Sequence, residues 1–520
     1  MTRASRFFLL SYLFVILVLL SCSHRNRLSG YVYYRLSSNP TTLDPALIVD
    51  VTGGAIAAKL FNGLVKLDES LRIIPDIAER WTVSLDGLTY TFRLSYDVKY
   101  STKQYVKAAD FKYSFKRILD PKTRSPNTWV LEKIAGAKDY MKGRTDDVTG
   151  IRVIDDHTLE IRLEKPFSPF IYLLTMPAAY VVPEEEVRKW GPDFSTHPMG
   201  TGPFVLEEWL PNREVRLKRR DDYFGERAKI KGVVYRVIPE DLTATTEFEL
   251  GNLDVISVPA PEFSKYKSDA RWKSLMASVK GINTYYIGMN CSRPPFNNIH
   301  LRRAMNFAID RRKLLSTFYE SRGRPAAGPV PDLLRTWGSP EPYEYNPGKA
   351  REMVEREGMA GRTIRFYITS DQEVVDMAEF IQSYIRKTGM NVEITQLEWS
   401  AYKEAINKGE PDMFWLSWWA DYPDPEDFLY PLFHSSNAGP AGNRARYKNS
   451  LVDRLIEEGQ AAGNERERMI AYEKAEKIIV DEAPWVFFWH KTDYTLRQPW
   501  IKGYRMYPIY SMDKGTGIQY

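Results

Sequence analysis

Residues 363–425 read TIRFYITSDQEVVDMAEFIQSYIRKTGMNVEITQLEWSAYKEAINKGEPDMFWLSWWADYPDP. Three segments of this run, 363–369, 391–397 and 412–419, are short and rich in β-branched, aromatic or other apolar residues, so each is predicted as a strand. Between the first two, Val374, Val375, Ala378, Ile381 and Ile385 form one helical stripe over 371–388, and Gly389 stops it. Residues 400–408 give a second, shorter helix. Strands separated by helices predict parallel pairing in a sheet covered on both faces, an α/β fold.

The same alternation extends outward. Upstream, 89–95, 158–163, 214–220 and 233–238 are strand-like. Residues 108–119 are helical, with Phe111, Phe115 and Ile118 on one face and Asp120-Pro121 closing them. A longer helix is expected over 301–319, from Ala304, Met305, Ala308 and Leu315. Downstream, 465–481 is an amphipathic helix and 485–490 a buried strand. A chain of 520 residues exceeds one ordinary core, so two or three domains are expected.

Composition narrows the class. Apolar residues at 43% and charged residues at 27% exclude a disordered chain. The net charge of +5 is spread along the chain, with no basic block beyond Lys218-Arg219-Arg220, which argues against nucleic-acid binding.

The beginning of the chain resembles an export signal. Arg3 and Arg6 precede an apolar run over 7–20, interrupted by Ser11 and Tyr12. That run is shorter than the roughly 20 residues of a membrane span. It ends in Leu19-Leu20-Ser21-Cys22, which resembles the bacterial lipobox, although Leu20 stands where a small residue is commoner. The expectation is a signal peptide over 1–21, a lipidated Cys22 and a polar tether over 22–30. Cys291 is then alone, so no internal disulfide is available, and it is expected to be a buried small hydrophobe.

A search for catalytic chemistry finds little. The six His are scattered, and HExxH, Cys/His clusters, GxSxG and a P-loop are all missing. Gly200-Thr201-Gly202-Pro203 reads as a turn before a strand. Asp155-Asp156 and Asp221-Asp222 are sequence neighbours whose side chains diverge in a strand, so they are poor acid/base pairs. No catalytic residue, metal site or cofactor is expected.

Several motifs, in order along the chain, resemble the oligopeptide- and dipeptide-binding proteins of ABC importers, the bacterial extracellular solute-binding family 5. They are Asn39-Pro40-Thr41-Thr42-Leu43-Asp44-Pro45, Leu60-Phe61-Asn62-Gly63-Leu64, Ile74-Pro75-Asp76-Ile77-Ala78-Glu79-Arg80-Trp81 and Asp86-Gly87-Leu88-Thr89-Tyr90-Thr91-Phe92. Ala109-Asp110-Phe111, Gly200-Thr201-Gly202-Pro203-Phe204, Arg302-Arg303-Ala304 with Ala308-Ile309-Asp310-Arg311, and Trp418-Trp419-Ala420-Asp421-Tyr422-Pro423-Asp424-Pro425 continue the series. Lys99-Tyr100-Ser101 and Arg220-Asp221-Asp222-Tyr223 depart from the family pattern.

The resemblance implies a two-lobed periplasmic-binding-protein fold of the large type with an inserted domain. Lobe I would comprise 31–65, 183–284 and 491–520, the insert 66–182, and lobe II 285–490, with crossovers near 282–288 and 488–491. It also implies an exported, monomeric, non-enzymatic receptor that delivers short peptides to the transmembrane subunits of an ABC permease. A peptide offers an ammonium, a backbone and a carboxylate. A buried ammonium needs a carboxylate, and the resemblance assigns that role to Asp421; the competing role for Asp421 is a helix cap before 425–430, where Asp424 is the rival. Backbone groups around Ser417, Trp418 and Trp419 would pair with the peptide as an added strand, and the 48–52 loop with Asp50 would serve the other side. Trp399, Trp418 and Trp129 would line side-chain pockets, whereas Trp415 and Trp485 read as core. Relatives that grip the carboxylate with Arg between the two Trp positions have no counterpart over 400–417, which holds only Lys403 and Lys408. Three alternatives stay open: the same fold for a metal complex, haem, sugar or cell-wall fragment; an exported peptidase; and a surface interaction protein.

Overall fold

The computed structural model describes residues 27–320, 322–340 and 343–520. The expected signal peptide over 1–21 and Cys22 lie outside them. Among the described residues, no helix is long and apolar enough to cross a membrane, and no group of three or more His, Cys, Asp or Glu is placed to hold a metal ion.

The 363–419 stretch forms the predicted elements. Thr363–Thr369, Asn391–Leu397 and Met413–Trp419 are strands, with helices Gln372–Arg386 and Trp399–Lys408 between them. Thr363–Thr369 pairs parallel to both other strands. The all-parallel expectation fails one strand further on. Met413–Trp419 pairs antiparallel with Asn283–Met289, which pairs antiparallel with Trp485–Arg497. These two neighbours arrive from distant parts of the chain, so no helical crossover fixes their direction. The expected helix over 301–319 is also two helices, Ile299–Ala308 and Arg311–Phe318. Asp310 breaks them: its carboxylate caps the second by accepting the Lys313 N–H at 2.9 Å.

Trp485–Arg497 runs seven residues beyond the strand expected at 485–490, and that extension joins two half-sheets. Residues up to Lys491 pair with Asn283–Met289 and Gly323–Pro325. From Thr492 on, they pair with Met276–Lys280 and Val255–Ser257, which leads through Tyr31–Leu36 to Gly232–Val237 and Glu214–Arg219. Each half-sheet carries its own buried apolar clusters, so the molecule is built as two lobes. Trp415 and Trp485 are buried in the second lobe's core, as expected. Cys291 is half-buried; its thiol donates to the Met289 carbonyl at 3.3 Å, and desolvation pushes it up to about 12.

A separate four-stranded antiparallel sheet, Ala78–Val83, Thr89–Leu94, Thr158–Arg162 and Ile151–Asp155, has a core of its own with helix Ala108–Leu119. It is tied to the first lobe where Arg117 pairs with both carboxylate oxygens of the buried Asp44. Asn127 adds a 2.8 Å bond to the Ile48 carbonyl.

The C-terminal tail crosses back over helix Val51–Leu60. Buried Lys59 pairs with Asp513 at 2.9 Å, and Lys514 donates to the Phe61 carbonyl at 2.7 Å. This lays Tyr510 against Gly54, where any side chain would overlap the Tyr510 ring.

Candidate functional site

Asp421 stands two residues beyond the end of strand Met413–Trp419. The apolar strand carries it out of the second lobe's core, its burial falling from Met413 to Trp419. The capping role belongs to Asp424, whose Oδ1 accepts the Glu426 N–H at 2.9 Å just before helix Glu426–Phe433. Asp424 is also paired with Arg468. Asp421 keeps an exposed side chain, yet protein crowds it closely enough that desolvation raises its carboxyl to about 6. Its carboxylate is thus open to solvent and flanked by protein at once. Among the described residues, no cation offsets the desolvation.

Asp427 sets the position of Asp421. It is 2% exposed, and its Oδ2 accepts the Asp421 backbone N–H at 3.0 Å and the Trp418 indole N–H at 3.3 Å. Burial holds its own carboxyl well above the usual range, and the Asp421 charge raises it further.

Other elements close around this group. The Trp129 ring of the insert lies 6.4 Å from that of Tyr422, which is buried in the insert's core cluster. Ser168 N–H donates to the Gln460 carbonyl at 2.8 Å and fastens the insert to the second lobe nearby. From the first lobe comes Tyr510. Desolvation pushes its phenol up to about 12, and the charges of Asp421 and Asp50 add to this. Val49 and Val51, beside Asp50, are 68% and 65% exposed.

The expected residues thus separate. Asp421, Trp418 and Trp129 gather at one place with Tyr510. Asp50 comes near but is engaged as a helix cap, accepting the Gly53 N–H at 2.7 Å and the Thr41 hydroxyl at 2.6 Å. Trp419 projects to the opposite sheet face from Trp418, 6.4 Å from the Tyr285 ring. Ser417 lies opposite Tyr285 in the sheet. Trp399 is 50% exposed, stacks 6.1 Å from Tyr402, and has no described contact with the Asp421 group. Sequence reasoning missed Asp427 and Tyr510. An acid six positions after Asp421 in a helix's first turn was a usable signal for the first. Nothing local marks Tyr510, which the tail delivers from the far end of the chain.

The chain crosses between the two half-sheets at Gly281-Ile282 and His490-Lys491. Asn283 bridges this crossing: its Oδ1 accepts the Lys491 N–H at 2.7 Å, while the Gly281 N–H donates to the Lys491 carbonyl at 2.9 Å. His490, fully buried beside it, is held down to about 4 by desolvation, and its Nδ1 is 2.8 Å from the Asn283 carbonyl.

Comparison with known proteins agrees with this architecture. The model of bacterial extracellular solute-binding proteins, family 5 Middle, matches residues 72–440. The haem-binding protein A of Haemophilus influenzae is 30% identical over 499 residues, covering 92% of this chain and 90% of that protein. The glutathione-binding protein GsiB of Salmonella paratyphi A is 29% identical over 465 residues, 88% of each. Among solved structures, the periplasmic murein tripeptide-binding protein MppA in its unliganded open form superposes with a TM-score of 0.80 at 26% identity, over 94% of this chain and 97% of that one.

Proposed function

Because the chain belongs to the bacterial extracellular solute-binding proteins of family 5, we propose that it captures short peptides between its lobes and hands them to an ABC permease from the outer face of a membrane, anchored by lipid on Cys22. It acts by binding, as its relatives do, and not by turnover. The observation that carries the peptide reading is Asp421: a partly desolvated carboxylate with no cation offsetting its burial among the described residues, beside aromatic rings. A primary ammonium supplies the missing charge and three N–H donors. The relatives that bind glutathione and murein tripeptide carry such peptide-like groups. Closure about the Asn283 hinge would bring Tyr510 and Val51 onto the bound molecule, so the ligand favours the closed state.

A second reading, a haem receptor, rests on the relative named for haem. Native mass spectrometry of the protein purified without refolding separates the two. Co-purifying masses that fragment as peptides and vanish in Asp421→Ala support the peptide reading. A porphyrin mass replaces it, and a protein that stays empty after addition of mixed di- to pentapeptides removes it. Anchoring is tested apart: Cys22→Ser should move the protein from the membrane fraction to the soluble one, and unchanged fractionation would refute the lipid.

A further inference from the structure

Where the chain enters the first lobe, residues from three distant segments are fastened to one buried acid. The Arg27 guanidinium pairs with Asp254, donates to the Gly251 carbonyl and lies 3.3 Å from the Tyr520 hydroxyl. The Trp500 indole N–H donates to the other Asp254 oxygen at 2.8 Å. Asp254 is fully buried. Arg27 is therefore a fixed point on the lobe.

The surface around that point is apolar. Leu250 is 69% exposed, Trp500 42% and Tyr520 44%. They are neighbours: Gly251 follows Leu250, and a Cβ on it would stand 3.5 Å from the Trp500 ring. Trp500 gives its N–H to Asp254 and Tyr520 its O–H to the Tyr31 carbonyl, so both rings turn carbon outward. One exposed apolar side chain is ordinary. A leucine, a tryptophan and a tyrosine gathered at one point is the composition that settles at a membrane–water boundary.

The charge beside them is positive. Tyr31 faces Gly232 in the sheet, and Gly232 faces Lys218. Lys231 donates its N–H to the Gly30 carbonyl at 2.8 Å, and Lys502 is bridged to Gln519 next to Tyr520. Lys218, Lys231 and Lys502 are exposed, and among the described residues none of them is in an ion pair. The acids nearby are engaged: Glu207 accepts the Tyr31 hydroxyl at 3.1 Å, and Glu249 pairs with Lys265 at 2.8 Å.

Chain length supplies the occupant. Cys22 stands five residues before Arg27, a span of at most about 18 Å. We propose that this end of the first lobe rests on the bilayer that carries the Cys22 lipid. Leu250, Trp500 and Tyr520 enter the headgroup layer, and Lys218, Lys231 and Lys502 face anionic phospholipid. One acyl anchor and one basic, aromatic patch then act as two joined signals. Every residue of the patch belongs to the first lobe, which leaves the second free to swing. The proposal rests on the lipid reading above.

The test uses the lipoprotein as purified from membranes, in a Cys291→Ser background, with the acyl chain on Cys22 verified by mass. A fluorophore is placed on Leu250→Cys or on Leu85→Cys, a fully exposed position of the insert. Vesicles are phosphatidylethanolamine with phosphatidylglycerol. The label at 250 should be shielded from iodide several-fold more than the label at 85. Adding Lys218→Glu, Lys231→Glu and Lys502→Glu should abolish that difference while the lipid keeps the protein on the vesicles. A lipidated, vesicle-bound protein whose two labels are quenched alike would overturn the proposal and leave the anchor standing. Shielding found in native membranes but missing from lipid vesicles would also overturn it, and would give the face to a membrane protein. A protein without acyl mass that stays off the vesicles would remove the anchor, and this face with it.

Discussion

Asp427 and Asp421 are joined by a hydrogen bond from the Asp421 backbone N–H, 3.0 Å from the same Asp427 oxygen that takes the Trp418 indole. One buried acid therefore fixes both the Asp421 backbone and the Trp418 ring, the two groups that the peptide reading turns towards the ligand. Asp427→Ala strands both donors, at roughly 1–3 kcal/mol each. Peptide affinity should fall by about tenfold or more, along with thermal stability. Asp427→Asn presents an oxygen to the same two N–H groups and should recover most of both. Titration of the three proteins with one tripeptide decides it: an unaltered affinity in Asp427→Ala would mean that the anchor does not depend on this bond.

Peptide capture should weaken in acid. In the free protein, desolvation raises the Asp421 carboxyl to about 6. A bound ammonium favours the ionised carboxylate, so the complex has the lower value. Affinity is then complete above about pH 6 and declines as pH falls through that value, by up to tenfold per unit. Titrations between pH 5 and 7.5 in one buffer series should show this slope. Asp421→Asn should bind weakly at every pH, with the slope gone. A flat wild-type profile would place the ammonium elsewhere.

The parts of this arrangement that sequence reveals are those written in local periodicity. The stripe Val374, Val375, Ala378, Ile381, Ile385 forms its helix, and the apolar run before Trp419 forms its strand. Asp421 stands out in the sequence because the motif around it is contiguous. The rest depends on which distant segments meet. Asn283–Met289 pairs with Met413–Trp419 across more than a hundred residues, so its antiparallel direction had no local signal. Asp50 resembled a ligand residue in the sequence but is consumed by Gly53 and Thr41, a competition visible only once the loop is folded. Tyr510 comes from the tail, and nothing near it in the sequence marks its place.

The insert's attachment should be fragile at one bond. Arg117 and Asp44 are both largely buried and mutually paired, with Asp44 also capping the Ala46 N–H at 3.1 Å. Arg117→Ala leaves the Asp44 charge uncompensated, a loss of roughly 3–5 kcal/mol. Chemical denaturation should show the transition involving the insert moving to lower denaturant. Replacing both residues, as Arg117→Met with Asp44→Leu, should be milder than the single change, because it buries no orphan charge. A single variant as stable as the wild-type protein would show that this pair holds nothing.

Closure depends on the Asn283 bridge, and Gly281 is where it is most easily broken. A Cβ at Gly281 would overlap the Asn283 amide and stand 2.8 Å from the Lys491 carbonyl. Gly281→Ala must therefore displace the side chain that bonds the Lys491 N–H at 2.7 Å. Both hinge strands are loosened at the point where they pass between lobes, while no residue facing the ligand is touched. Affinity should drop several-fold, with the discrimination between free and N-acetylated peptides kept, because Asp421 is intact. Small-angle scattering should show a smaller ligand-induced compaction than in the wild-type protein. Asn283→Ala should reproduce both effects, since it removes the same bond from the other side. If either variant closes and binds as the wild-type protein does, the lobes rotate about some other pair of residues.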